Sequence, residues 1–222
     1  MDTHRFHRRR QQSTKGRKMT TITVIGAGNI GSAVASIGIK AGAQVQVIDR
    51  NRDKAEAIEG AKADGFGSPI TGNVVVLALP YAAYADVLST YAPQLAGKTV
   101  VDPSNPIDFG SFGLALPQGV HSAAEELAAR LPESTVVKAF NTTFAATLAA
   151  GTVNGSPTSV MVASDDADAK ALVSSVVTAA GLRALDAGPL ARASYMEGMG
   201  ALQIILGATG QTPWTGGFAI VR

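Results

Sequence analysis

Cysteine is absent from the 222 residues, which excludes disulfides, thiolate metal sites and cysteine nucleophiles. Redox chemistry, if the protein performs any, has to come from a bound cofactor. Long apolar runs are missing too. The longest, Val74 to Leu79, stops at Pro80, far short of the roughly 20 residues that cross a bilayer. The opening stretch MDTHRFHRRRQQSTKGRKM has a basic start with no apolar segment behind it, so no secretory signal is expected. These absences predict a cytoplasmic protein with no membrane partner.

Histidine is nearly missing. His4 and His7 lie in the tail, and His121, in QGVHSAAEEL at a predicted helix start, is the sole histidine of the body. It reads as a capping or surface residue. Asp102, Asp108, Asp165, Asp166 and Asp168 are scattered as caps and turns would place them, so no metal site is expected. No tyrosine is followed by lysine four positions later, so that acid–base pair of the short-chain dehydrogenases is absent. A carbonyl or alcohol substrate needs a proton donor or acceptor beside the hydride path, and the body offers no dedicated one. Hydride exchange between two heterocyclic cofactors needs only orientation from the protein.

The charge balance is easily misread. Nineteen basic residues against 17 acidic ones give +2, and a pI near 9.0 suggests nucleic acid or an anionic surface. Residues 1–18 alone hold seven of the basic groups and one acid, leaving 12 basic against 16 acidic residues, about −4, in the body. The expectation is therefore a disordered basic tail over residues 1–18, a folded domain over residues 19–222, and no nucleic-acid partner.

What is present is an alternation of short Val/Ile/Leu runs with helix-patterned segments, the mark of a largely parallel sheet with crossover helices. Strands are predicted at Ile22–Ile25, Val45–Asp49, Val74–Leu79, Thr99–Asp102, Thr135–Ala139, Ser159–Ala163 and Arg183–Asp186. Helices are predicted at Ile30–Ala41, Arg52–Glu59, Tyr81–Tyr91, Ala123–Arg130, Thr143–Ala149 and Asp166–Ala180, with a last one near Ala191–Leu206. Asp165 or Asp166 is the expected cap of the sixth helix, and Gly181 its stop. The fold class is α/β.

The most informative local pattern is TVIGAGNIGSAVA, where Gly26, Gly28 and Gly31 form Gly-x-Gly-x-x-Gly between a strand and a helix. The three glycines serve a tight turn, close approach of a pyrophosphate, and helix–strand packing, while free N–H groups of the helix start meet the phosphates. The loop thus nominates Gly26, Ala27, Gly28, Asn29, Ile30 and Gly31 as cofactor-binding. Where the second strand ends, in VIDRNRDKA, the residues point both ways. Asp49 suits a ribose 2′-hydroxyl and favours NAD, whereas Arg50, Asn51 and Arg52 suit a 2′-phosphate and favour NADP, provided Asp49 turns away or pairs with an arginine. NADP is the preferred reading, with NAD open. Three further loops reach the same carboxyl edge of the sheet: Leu79 and Pro80, then Ser104 and Asn105 between two prolines, then Phe140, Asn141 and Thr142.

The motifs TVIGAGNIGSAVA, VVVLALP, VVDPSNP, VVKAFNT and GLRALDAGPLARASYME, spanning Thr21 to Leu206, resemble the NADPH-dependent reductases of the deazaflavin coenzyme (factor 420), which are related to the oxidoreductase domain of the Steap metalloreductases. The resemblance implies a Rossmann-like domain with a small C-terminal helical element, NADP at the glycine loop, a deazaflavin or flavin (FMN or FAD) as second substrate, and a homodimer. It implies that Gly26, Asn29 and Ile30 hold the pyrophosphate, that Arg50 and Asn51 meet the 2′-phosphate, that Leu79 and Pro80 border the nicotinamide ribose, and that Asn141 and Thr142 line the hydride-transfer cleft. Asp49 departs from the family's usual small polar residue. Two other functions stay open at this point: reduction of a small carbonyl or imine with His121 or a tyrosine as acid, and a dinucleotide sensor without turnover.

Overall fold

The computed structural model describes residues 19–217 and residue 220. The expected basic tail lies outside them. The first half alternates strand and helix: β1 (Thr21–Ile25), α1 (Asn29–Lys40), β2 (Gln44–Asp49), α2 (Arg52–Glu56), β3 (Lys62–Gly65), β4 (Val74–Leu77), α3 (Tyr84–Leu95) and β5 (Thr99–Asp102). The second half adds α4 (Ala123–Arg130), β6 (Thr135–Ala139), α5 (Ala145–Ala150), a two-stranded hairpin of β7 (Thr152–Val153) and β8 (Ser156–Pro157), β9 (Ser159–Ala163), α6 (Ala167–Ala179), β10 (Arg183–Gly188) and α7 (Ala193–Ala208). Eight strands form one sheet in the order β10-β9-β6-β5-β4-β1-β2-β3.

Period-two alternation gives each strand two apolar faces. Val24, Val47, Val76, Val101 and Val137 turn to the side covered by α1 and α6, while Ile25, Ile48, Val75, Leu77, Val100 and Val136 turn to the side covered by α3 and α4. The result is a three-layer, Rossmann-like α/β fold with a mostly parallel sheet.

Several expectations need adjusting. β3, KADG, carries no apolar run because it is a short edge strand. β9 joins β6 antiparallel, and β10 follows β9 in parallel, so the last two strands oppose the others. Between α5 and β9, Gly151 at φ +74° and the β7–β8 hairpin turn the chain back on itself. β4 ends at Leu77, where Leu79 N–H donates to the Leu77 carbonyl at 2.9 Å and bends the chain at the rim. α3 runs on through Pro93 to Leu95, since a proline in the last turn forfeits only one hydrogen bond. Asp166 caps α6 by accepting from Ala169 N–H at 2.8 Å, and Gly181 adopts φ +86° beyond its end.

Candidate functional site

Strand order reverses between β1 and β4, and in open α/β sheets a crevice at the carboxyl ends of the strands opens at such a point. The glycine loop occupies it. Gly26 has φ +107°, and a Cβ there would stand 2.4 Å from the Ala78 carbonyl oxygen. A Cβ on Gly31 would stand 1.9 Å from the Gly26 oxygen, so α1 packs on the loop only because residue 31 is glycine. Nothing lies within 4 Å of a Cβ on Gly28. Gly28 is also the cap of α1, with no side chain to accept from the first-turn N–H groups and no acidic residue in that turn. An anion fits these free donors and the open space beside them.

Asp49 lies beneath this loop. Its Oδ2 accepts from Ala27 N–H at 2.6 Å and its Oδ1 from Asn51 N–H at 2.8 Å. It therefore pairs with neither arginine; it ties the end of β2 to the glycine loop. The Gly26 N–H, nominated for the pyrophosphate, already donates to the Ile48 carbonyl at 2.8 Å, and the Ala27 N–H is used by Asp49, whereas no capping side chain takes the first-turn N–H groups of Asn29, Ile30 and Gly31. Arg50 is exposed, reaches Asp86 at 3.4 Å and lies 5.2 Å from the centre of the Phe66 ring. Arg52 pairs with Glu56 at 2.8 Å. Both ion pairs are exposed and worth little in water, so either guanidinium is available to a phosphate. Asn51 caps α2 by accepting from Asp53 N–H at 3.1 Å.

From the glycine loop a cleft of about 1000 Å³ extends past Leu79, Pro80, Ser104 and Asn105 to Asn141, Thr143, Phe144, Gln203, Ile204 and Trp214. The β5 and β6 loops are locked together there. Asn105 Nδ2 donates to the Asn141 carbonyl at 2.8 Å, and Asn141 Nδ2 donates to Asn105 Oδ1 and to the Met196 carbonyl, each at 2.9 Å. Gly200 on α7 makes room for this pair, since a Cβ would lie 2.4 Å from Asn105 Oδ1. Phe140 and Thr142, expected to face the ligand, are buried to 3% and 4% exposure and do not line the cleft; Thr143 does. Phe140 packs into the core with φ +67°, a left-handed conformation costly for a bulky residue. That twist turns the chain sharply between β6 and Asn141.

Three buried side-chain atoms lack a partner among the described residues: Ser104 Oγ, Asn141 Oδ1 and Gln203 Nε2, and all three residues line the cleft. An orphaned buried polar atom costs about 1–3 kcal/mol, and all three atoms are closed off from solvent. Among the described residues the lining includes no Asp, Glu, Lys, Arg, His or Tyr. His121 is exposed before Ser122, which caps α4 by accepting from Glu125 N–H at 3.1 Å. Tyr81 donates to Glu126 away from the cleft, and its burial together with that carboxylate pushes the phenol up to about 12.

Behind the β5 loop lies a charged cluster that sequence reading missed. Lys138 is fully buried and donates through Nζ to Asp102 Oδ2 at 2.9 Å, Glu197 Oε1 at 2.7 Å and the Ser104 carbonyl at 2.7 Å. Tyr84 donates to Asp102 Oδ1, and Glu197 accepts from Ala123 N–H at 3.0 Å. Burial pushes the Asp102 carboxyl up, but the Lys138 charge and the Tyr84 hydrogen bond outweigh it and hold it below the usual value. Burial dominates at Glu197 and raises it despite Lys138. The cluster fixes the Pro103–Asn105 segment, the start of α4 and the middle of α7 to one another.

The sequence pattern of the family described as NADP oxidoreductase, coenzyme F420-dependent, matches residues 21–106, the segment that builds the glycine loop, the Asp49–Arg52 corner and the β4 and β5 rims. Over these residues the chain carries the pattern of a family of NADP-dependent oxidoreductases. The rat metalloreductase STEAP3 is 32% identical over 178 residues, which cover 79% of this chain and 35% of that protein. The chain thus spans about a third of that relative's length. A putative F420-dependent NADP-reductase from Arthrobacter sp. FB24 superposes with a TM-score of 0.77 at 27% identity, covering 91% of this chain and 100% of the other. A hypothetical protein from Sinorhizobium meliloti gives a TM-score of 0.69 at 32% identity, covering 78% and 87% respectively.

Proposed function

We propose that this protein passes hydride between NADP(H) and a planar flavin or deazaflavin acceptor. The observation that carries the reading is the cleft itself: it runs from the start of α1 into an apolar half bordered by Phe109, Phe144 and Trp214, and no titratable side chain among the described residues lines it. Bound NADPH supplies the hydride, and the acceptor ring takes it together with a proton from water. No side-chain acid is required for that step, whereas a carbonyl or imine substrate would require one.

The chain's own residues orient and exclude. The N–H groups of Asn29, Ile30 and Gly31 meet the pyrophosphate beside the open Gly28 face. Arg50, Asn51 and Arg52 meet the 2′-phosphate, with Asp49 kept from repelling it by its two backbone donors. Leu79 and Pro80 border the nicotinamide ribose. The Asn105–Asn141 lock sets the floor on which nicotinamide and acceptor meet.

The test is a hydride-transfer assay with NADPH against the deazaflavin coenzyme and against FMN. Turnover with at least one is expected, and none with either overturns the reading. For cofactor choice, Arg50→Ala weakens NADP+ binding by about tenfold while NAD+ binding changes less, because one charge-assisted contact is worth about 1.5–3 kcal/mol at most. Equal losses measured by calorimetry would remove the 2′-phosphate role.

A further inference from the structure

Arg50 is tied to a part of the fold that the β2 corner does not itself contain. From the turn after β2 its guanidinium donates to Asp86 Oδ2, 3.4 Å away in the first turn of α3. α3 follows β4, and β2 and β4 flank β1, so this contact spans the strand that carries the glycine loop. The guanidinium also lies over the Phe66 ring, 5.2 Å from its centre, and that ring stands edge-on to Tyr91 at 5.3 Å between centroids. The aromatic contact keeps the charge at one place, and the remaining N–H groups face outward to an acid or a ligand. Arg52, by contrast, pairs with Glu56 on its own helix, and Asp49 commits both oxygens to the Ala27 and Asn51 N–H groups. Among the described residues Asp86 is the one acid bound to Arg50.

An acid in the first turn of a helix is favoured by the helix dipole, but that role does not call for Arg50. A 2′-phosphate does call for it, and so competes with the Asp86 carboxylate for the same N–H groups. NADP(H) has to draw Arg50 off Asp86 before it gains a charge-assisted pair, whereas NAD(H), with a hydroxyl at that position, leaves the ion pair whole. Specificity is a difference of two affinities, and Asp86 acts on one of them. We propose that Asp86 is a positioning residue that holds down the preference for NADP over NAD by competing with the 2′-phosphate for Arg50. The proposal rests on the reading of Arg50 as a 2′-phosphate ligand. With side chains 67% and 71% exposed the pair is weak in water, so its effect is modest, and salt screens it further.

The test is calorimetric binding of NADP+ and NAD+ to the parent protein, Asp86→Asn, Asp86→Glu, Arg50→Ala and the Arg50→Ala/Asp86→Asn double variant. At low salt Asp86→Asn is expected to tighten NADP+ about threefold, or about 0.65 kcal/mol, and to leave NAD+ unchanged. Asp86→Glu, which keeps the charge, gains less. Relative to the parent, the Asp86→Asn gain fades at high salt, and it is lost in the Arg50→Ala background, where no guanidinium is left to release. A merely structural role in α3 would alter both nucleotides alike and would persist without Arg50. The proposal is overturned by equal changes for NADP+ and NAD+, by no gain for NADP+, or by the same gain in the Arg50→Ala background. In each case the 2′-phosphate role of Arg50 survives if Arg50→Ala alone weakens NADP+ more than NAD+, while equal losses there overturn both. Only binding is measured, so a failure of hydride transfer with every acceptor leaves these results intact.

Discussion

Lys138 shows how a single side chain serves a site it never touches. Its ammonium is the one cation in a cluster with two carboxylates, all at 0% exposure, so removing it leaves two buried anions facing each other. Breaking such a cluster costs about 3–5 kcal/mol. Without Lys138 both Asp102 and Glu197 lose the charge that lowers them. Their folded-state affinities for protons then rise above those of the unfolded chain, and stability contributed by proton uptake is present at low pH and lost as pH climbs through the raised values. Lys138→Met is therefore expected to lose about 3–5 kcal/mol at pH 8 and to recover part of it by pH 5.5, in urea unfolding at the two values. The parent protein should show the reverse trend at the acid end, where protonating Asp102 below its depressed value removes its contribution. No local sequence signal announces this cluster. Lys138 meets partners 36 and 59 positions away, and in the sequence it interrupts an otherwise apolar strand.

At the scale of the element, local chemistry was the most legible. The cap of α6 is an example: Asp166 stands immediately before an apolar period and satisfies the Ala169 N–H. Asp166→Ala is expected to cost about 1 kcal/mol, a drop of about 2–4 °C in Tm for a chain of this size, measured by calorimetry. A similar loss on Asp165→Ala would have a different origin, since Asp165 accepts from Leu190 N–H at 2.9 Å and ties α6's entry to the turn after β10. The glycine loop was equally readable, because Gly26 and Gly31 answer steric demands within a few residues of themselves. What the pattern of residues does not carry is direction and distance. β9 reads as an ordinary buried strand, SVMVA, whichever way it runs, and only the hairpin before it sets its sense. Asn105 and Asn141 were both picked out as rim residues, yet their reciprocal lock depends on β5 and β6 being neighbours. Thr142 and Thr143 differ in role through the left-handed turn at Phe140, and Gln203 and Trp214 reach the cleft from a helix and a tail with no motif of their own.

The whole molecule divides its cleft between two stretches of chain. The glycine loop and the β4 and β5 rims come from the first half, while Gln203, Ile204 and Trp214 come from α7 and the segment after it. A ligand gripping both halves stabilises the folded state by about 2.7 kcal/mol at a hundredfold excess over Kd. NADPH at that excess should raise Tm by about 5–10 °C in scanning calorimetry, and Arg50→Ala should need more NADPH for the same shift. The charge distribution is also resolved at this scale. The excess of basic residues belongs to residues 1–18, and the remainder carries more acid than base, so the dinucleotide site proposed above would rely on local donors and a few arginines without a basic surface.

The placement of α7 has a consequence for biogenesis. A ribosome delivers the strands from β1 to β6 and their helices well before residues 200–214, so a nascent chain displays the glycine loop while one wall of its cleft is still unmade. Synthesis thus completes the glycine-loop end of the cleft before the wall made by Gln203, Ile204 and Trp214, and a chain stopped short of α7 keeps the first end without the second.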